Sequence, residues 1–171
     1  MLIRPATLSD AAAMLSIYAP IVQSTAISFE SEPPSLAEFE GRVRKYSSGW
    51  AWLVCELNGA VVGYAYGSPH RERAAYRWST ETSAYVAPEA RRQGVGTLLY
   101  QALLPALASK GLCNAYAGIA LPNPASVALH VSVGFRSIGT FPAVGRKFGQ
   151  WHDVGWFHRS LRQLAPGEEP Q

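Results

Sequence analysis

Apolar positions along the chain fall into short runs whose period changes from segment to segment. Leu2–Pro5 reads as a first strand. Met14, Leu15, Tyr18 and Val22 then recur at helical intervals behind Thr7 and Asp10, which have the three-residue spacing of a capping box. Pro20 is expected to kink or end that helix. After a polar and aromatic loop over Ala26–Glu32, Ser35 with Glu38 opens a second helix whose apolar face comprises Leu36, Phe39, Val43 and Tyr46. Trp50–Glu56 and Ala60–Tyr66 are β-rich and flank Asn58-Gly59, a pair suited to the positive φ angles of a tight hairpin. Trp78–Val86 is β-rich again. A helix from near Gly94 passes Leu98, Leu99, Leu103 and Leu107 to Lys110, with Gly111 as its stop and Pro105 marking a kink or a lost hydrogen bond. Cys113–Leu121 is a strand, Pro124–Val133 a short helix ended by Gly134, and Phe135–Phe141 and Trp151–Leu161 are further strands.

The order β-α-α-β-β-β-α-β-α-β-β includes a hairpin, so it predicts an α/β fold with a central mixed sheet covered by helices on both faces, not an all-parallel one. A chain of 171 residues that is 48% hydrophobic is expected to form one domain, over 1–163, and the Pro-, Gly- and Glu-rich 164–171 reads as a disordered tail. No apolar run approaches the length of a membrane span, and MLIRPATLSD lacks the apolar core of a signal peptide; the expectation is an unprocessed cytoplasmic protein with no membrane role. Cys55 and Cys113 stand alone in apolar runs, which predicts two buried thiols and no metal.

Net charge is only +3, and the chain has neither a Lys/Arg block nor basic residues interleaved with aromatics, so nucleic acid is not an expected partner. Position says more than total charge. Arg71, Arg73 and Arg77 form one cluster and Arg91 with Arg92 another, a scale suited to small anions.

The second cluster belongs to Val86-Ala-Pro-Glu-Ala-Arg91-Arg92-Gln93-Gly94-Val95-Gly96-Thr97, which lies between a predicted strand and a predicted helix. Glycines let backbone approach a ligand, and the unpaired amides and dipole of a helix start favour a phosphate or pyrophosphate. No Lys follows the glycines as a P-loop requires, and Leu99 stands where a dinucleotide fingerprint has its third glycine. A plain Gly-rich turn with surface arginines is the competing reading. Arg-Arg-Gln-Gly-Val-Gly resembles the R/Q-x-x-G-x-G/A pyrophosphate loop of the GCN5-related N-acetyltransferases (GNAT), and Asn123-Pro-Ala-Ser-Val-Ala-Leu129-His130-Val-Ser-Val-Gly134-Phe135 resembles the second half of that superfamily's signature. His130 departs from the Tyr found at this place in many members. That departure, together with Phe29-Glu-Ser-Glu-Pro, His70-Arg-Glu-Arg73-Ala-Ala-Tyr76, Trp78-Ser-Thr-Glu81-Thr-Ser-Ala-Tyr85-Val86 and Gly149-Gln-Trp151-His152-Asp153-Val-Gly, is similar to the phosphinothricin and methionine sulfoximine acetyltransferases over about residues 1–162.

The resemblance implies the acyl-CoA N-acyltransferase fold, acetyl-CoA as co-substrate, transfer to the α-amino group of a glutamate-like amino acid in a ternary complex, and a homodimer. It implies that the amides of Arg91, Arg92, Gln93, Gly94, Val95, Gly96 and Thr97 hold the pyrophosphate. Tyr85, Val86, Asn123 and Ser126 would lie along the pantetheine, with an amide at or next to Val86 facing the developing oxyanion. Glu81 is the implied base, acting directly or through water, with a structural ion pair to Arg73 or Arg77 as the alternative; His130 is implied as proton donor to the thiolate, as base, or as an acceptor contact. Arg71 and Arg73 would bind the acceptor's acidic groups, and Phe29 and Tyr76 would shape its walls. His152 and Asp153 match the family motif, but spacing assigns them no role. Another amine as acceptor, or a CoA-binding module without catalysis, is the alternative reading.

Overall fold

The structure is a computed structural model that describes residues 1–164 together with Gly167 and Glu168. Most of the tail expected to be disordered lies outside these described residues. The elements are β1 (Leu2–Pro5), α1 (Ala11–Ser24), α2 (Leu36–Gly49), β2 (Trp52–Leu57), β3 (Ala60–Pro69), β4 (Ser79–Val86), α3 (Val95–Ser109), β5 (Asn114–Ala120), α4 (Pro124–Ser132), β6 (Arg136–Lys147) and β7 (Gln150–Ser160). They form one mixed sheet in the order β1-β2-β3-β4-β5-β7-β6, in which only β4 and β5 run parallel.

Side chains alternate between sheet faces along a strand, and the central strands are apolar at both parities, so both faces bury a core. In β2, Trp52 and Val54 pack with Met14, Tyr18, Phe39 and Val43 of α1 and α2, whereas Leu53 and Cys55 pack with Val95, Leu99, Leu103 and Leu107 of α3. The hairpin turn uses Asn58 at φ 51° and Gly59 at φ 81°. The Ser35–Glu38 capping box forms with both reciprocal bonds.

Several expectations need correction. Of the two outcomes expected at Pro20, the end of α1 does not occur: the helix passes through it to Ser24, because packing of the flanking turns outweighs one missing hydrogen bond, whereas Pro105 lies inside α3 as expected. Leu36 is 43% exposed, since the first residue of α2 precedes the turn that meets the sheet. β6 does not stop near Phe141. It runs on to Lys147 through a bulge between Phe141 and Gly145, where the Asp153 carboxylate accepts the amide of Ala143 at 2.7 Å. That contact gives Asp153 a structural place in the hairpin.

Candidate active site

The parallel pair β4 and β5 is bonded only at Ser79–Asn114, Thr80–Ala115 and Glu81–Tyr116. Beyond that point β4 stays paired with β3 as far as Val86, and β5 stays paired with β7 as far as Ala120, so each strand follows its other neighbour and the two part. Thr82 Oγ1 donates to the Tyr116 carbonyl at 3.2 Å and closes the apex of the opening. The cleft holds about 60 Å³ and is lined by β4 from Thr82 to Tyr85, β5 from Ala117 to Ala120, Ile27, Tyr100, Asn123, Ser126 and His130. A larger cavity of about 420 Å³ beside Gln101, Pro105, Ser132 and Arg159 contains none of the expected site residues.

One side of the cleft is a row of backbone amides that have no strand partner among the described residues. Ala87 donates its amide to Val62 on the β3 side, and alternate residues of a strand turn their amides to opposite sides, so Val86 and Ala84 direct theirs into the cleft. Tyr85 contributes backbone only; its ring packs with Tyr18, centroids 4.9 Å apart, in the core on the other face.

At the wide end of the cleft the chain turns into α3. Gly94 caps this helix at φ 81°, a left-handed conformation suited to glycine. The first helical bond runs from Leu98 N to Gly94 O, which leaves the amides of Val95, Gly96 and Thr97 without partners inside the helix. The two glycines have different reasons. A side chain at Gly94 would meet nothing within 4 Å, whereas a Cβ at Gly96 would come 2.8 Å from Leu129 Cδ2, so Gly96 serves the close approach of α3 and α4. Val95 offers only its amide, because its side chain is 1% exposed. Arg91 is pinned by Nε to the Val86 carbonyl at 3.3 Å and Gln93 by its side chain to the Glu89 carbonyl at 2.8 Å, while Arg92 remains exposed in a left-handed turn at φ 61°.

The opposite wall comes from α4. Asn123 caps the helix, its Oδ1 accepting from Ser126 N at 3.1 Å. One turn later His130, 5% exposed, places Nδ1 2.8 Å from the Ser126 carbonyl and Nε2 2.7 Å from Tyr100 Oη. A carbonyl only accepts, so Nδ1 carries the proton and Nε2 accepts from the Tyr100 hydroxyl. Burial lowers the His130 pKa and outweighs the opposing bond to Ser126, which keeps the ring neutral. Burial likewise pushes the Tyr100 hydroxyl well above its ordinary value. Sequence reasoning missed Tyr100, whose place in the helical pattern of α3 makes it look like core.

Glu81 stands at the last bonded pair of β4 and β5, where the cleft begins. Its alternative partners, Arg73 and Arg77, do not pair with it. Arg77 lies 3.5 Å over the Trp78 ring, and Glu81 Oε1 is instead 2.9 Å from Nδ1 of His70, a second residue the reading missed. Arg71 sits over the Tyr76 ring at 5.9 Å, and Arg73 is exposed with no ion pair among the described residues.

Phe29 stands on the loop between α1 and α2 rather than on β4 or β5, packed against Gly145, where a Cβ would collide with the Phe29 ring. The loop is held by the buried ammonium of Lys147, which donates to the carbonyls of Val22 and Ser28 at 2.6 and 2.7 Å. His152 faces Phe29 with ring centroids 6.1 Å apart. Among the described residues no group of three or more His, Cys, Asp or Glu is placed to hold a metal ion, and no helix is long and apolar enough to cross a membrane.

A mixed sheet splayed between β4 and β5, with a helix start facing the splay, defines an acetyl-CoA-dependent acyltransferase, and the chain belongs to the GNAT acetyltransferase family, whose domain matches residues 3–156. It is similar to a phosphinothricin N-acetyltransferase of Streptomyces coelicolor, 40% identical over 93% of this chain and 95% of that protein. It is also similar to an L-methionine sulfoximine/L-methionine sulfone acetyltransferase of Pseudomonas paraeruginosa, 35% identical over 93% of this chain and 94% of that one. Among solved structures, a phosphinothricin acetyltransferase from Sinorhizobium meliloti in complex with acetyl-CoA superposes with a TM-score of 0.93 at 34% identity, covering 99% of this chain and 92% of that chain.

Proposed function

We propose that this acetyltransferase acts on the α-amino group of a small glutamate-like amino acid such as phosphinothricin or methionine sulfoximine. The observation that carries the reading is the position of Glu81: a carboxylate at the last bonded pair before β4 and β5 part, one residue before Thr82 of the cleft lining and next to the exposed Arg71–Tyr76 segment. The names of the relatives support the acceptor class.

The residues of the cleft divide the work. Acetyl-CoA supplies an electrophilic thioester carbonyl. The amides of Val95, Gly96 and Thr97, with Arg92, suit its pyrophosphate, and the backbone from Thr82 to Val86 with Asn123 and Ser126 suits the pantetheine arm. Glu81 takes a proton from the acceptor's ammonium so that the nitrogen lone pair can attack. The amide of Val86 or Ala84 donates to the oxygen on which negative charge builds, an effect of roughly 2.7–4 kcal/mol when well aimed. His130, neutral and with Nε2 already engaged, is a poor initial acid. As charge builds on the departing sulfur, the Tyr100 hydroxyl turns from His130 to the sulfur, because a hydrogen bond to a charged acceptor is the stronger one. His130 thus positions Tyr100. Arg73, and Arg71 beside it, present guanidinium groups for the acceptor's carboxylate and tetrahedral side-chain end, with Tyr76 and Phe29 as walls.

Residues 1–163 act together as one catalytic domain in this reading. The exposed Ile138, Phe141, Val144, Phe148 and Trp151 of the β6–β7 hairpin support a homodimer, and the free, buried Cys55 and Cys113 fit a reducing cytosol. The test is kcat/KM for phosphinothricin, methionine sulfoximine and methionine sulfone beside ordinary amino acids, a polyamine and a peptide N-terminus, with Glu81→Gln alongside. Preference for the first three and a strong fall in kcat without loss of acetyl-CoA affinity are expected. Preference for another amine moves the acceptor, and tight acetyl-CoA binding with no turnover on any amine makes the protein a binding module.

A further inference from the structure

We propose that His70 is the proton-exit partner of Glu81: the proton that Glu81 takes from the acceptor passes to His70 Nδ1 and leaves from Nε2. The inference rests on Glu81 being the base. Stoichiometry requires such an exit. An ammonium acceptor starts with three N–H protons and ends as an amide with one; of the two lost, one ends on the sulfur of the released thiol and the other must leave the cleft. Glu81 must also return to its ionised form before the next turnover.

His70 is built for that step. Nδ1 lies 2.9 Å from Glu81 Oε1, within direct transfer distance. The ring is held flat against Tyr116, centroids 4.6 Å apart at 17°, with the edges of Tyr76 and Trp156 at 5.8 and 6.1 Å, and only 13% of the side chain is exposed. A ring clamped on several sides keeps Nδ1 aimed at the carboxylate. Nε2 has no hydrogen-bond partner among the described residues, so it can hand a proton to water. In the resting enzyme Nδ1–H donates to the ionised Glu81; once Glu81 is protonated, exchange with water moves the ring's proton to Nε2, Glu81 then donates to Nδ1, and the imidazolium formed releases the Nε2 proton, which restores the resting state. The groups facing the ring are Glu81 from β4, Tyr76 from the turn after β3, Tyr116 from β5 and Trp156 from β7, with Arg71 over the Tyr76 ring at 5.9 Å and His158 beside Tyr116 at 5.0 Å between centroids. Apart from Glu81, none of the groups touching the ring is charged at neutral pH.

His70→Gln keeps an amide donor for Glu81 but cannot carry a proton. We expect its kcat at neutral pH to fall on the order of tenfold, with unchanged acetyl-CoA affinity as the check that the cleft is intact, partial recovery on adding imidazole, and a changed acidic limb of the kcat–pH profile. His70→Ala, which removes the donor and leaves the space of the ring open, should fall further and recover more on adding imidazole. A His70→Gln enzyme with kcat within about twofold of the parent, beside an inactive Glu81→Gln, overturns the relay and leaves the base in place. A loss that imidazole does not relieve and that leaves the pH profile unchanged also overturns it, reducing His70 to packing. Full activity of Glu81→Gln removes the base reading itself.

Discussion

Replacing Tyr100 with Phe takes away one oxygen from a fully buried ring and separates two roles for it. That oxygen lies 2.7 Å from His130 Nε2 and 3.3 Å from Thr82 Oγ1. Without it, the Nε2 acceptor of a residue only 5% exposed is left without its donor, at a cost of about 1–3 kcal/mol. For a chain of this size each kcal/mol moves Tm by about 2–4 °C, so a fall of roughly 2–12 °C is expected. The catalytic share is separate. If the hydroxyl turns to the departing sulfur, the lost bond is one to a charged group, about 1.5–3 kcal/mol, which at 1.36 kcal/mol per decade lowers kcat by roughly 10- to 150-fold. Thiol release should be followed with both substrates saturating, well below the lowered Tm. Acetyl thioesters of more acidic thiols should narrow the gap, because their leaving groups carry less charge that needs stabilising. An enzyme with reduced Tm and the parent's kcat refutes the assignment and leaves Tyr100 as a structural partner of His130.

Two further expectations follow from groups remote from the reacting atoms. Lys147→Met removes both bonds to the Val22 and Ser28 carbonyls and frees the loop that carries Ile27 and Phe29; stability should fall by about 1–3 kcal/mol and the acceptor KM should rise while the acetyl-CoA KM stays put, as denaturant titration and initial rates will read. Acid should destabilise the fold in two stages. The His130 pKa is lowered by burial, so the unfolded chain binds the proton more readily; stability is full above the ordinary histidine value and falls as pH drops through it. The Asp10 carboxyl is held well below its usual range by the guanidinium of Arg4, bonded at 2.8 Å to each oxygen, so its contribution is present above the ordinary carboxylate value and is lost as pH falls toward the folded one. Tm against pH should therefore decline first below about pH 6.5 and again below about pH 4, and Asp10→Asn should weaken the second decline and leave the first unchanged. A flat Tm from pH 7 to 5 contradicts the His130 assignment.

Local chemistry was legible wherever a few adjacent residues decide the outcome. Asn58-Gly59 specified its turn, Ser35 and Glu38 their capping box, Gly94 the neighbourhood in which α3 starts, and the element order with its hairpin a mixed sheet covered on both faces. Pro20 left two outcomes open because its effect is local and the packing that decides between them is not: α1 continues through it, as α3 does through Pro105. The extension of β6 was hidden for the same reason, since the group that accepts the Ala143 amide is Asp153, on the facing strand.

The site divides along the same line. From the sequence alone came the element order, the helix start with its unpaired amides, and Glu81 and His130 as groups able to move protons. Only the tertiary structure decided their partners. Whether His130 offers a proton or accepts one depends on the Ser126 carbonyl and on Tyr100, which comes from another helix; whether Glu81 pairs with an arginine or with His70 depends on how β3 and β4 lie in register. Gly96 looks like a ligand-binding glycine until Leu129 of α4 is seen against it. A residue's type and spacing state which bonds it can make, but which of them it does make depends on groups far away in sequence, brought within about 3 Å by the packing of the whole sheet.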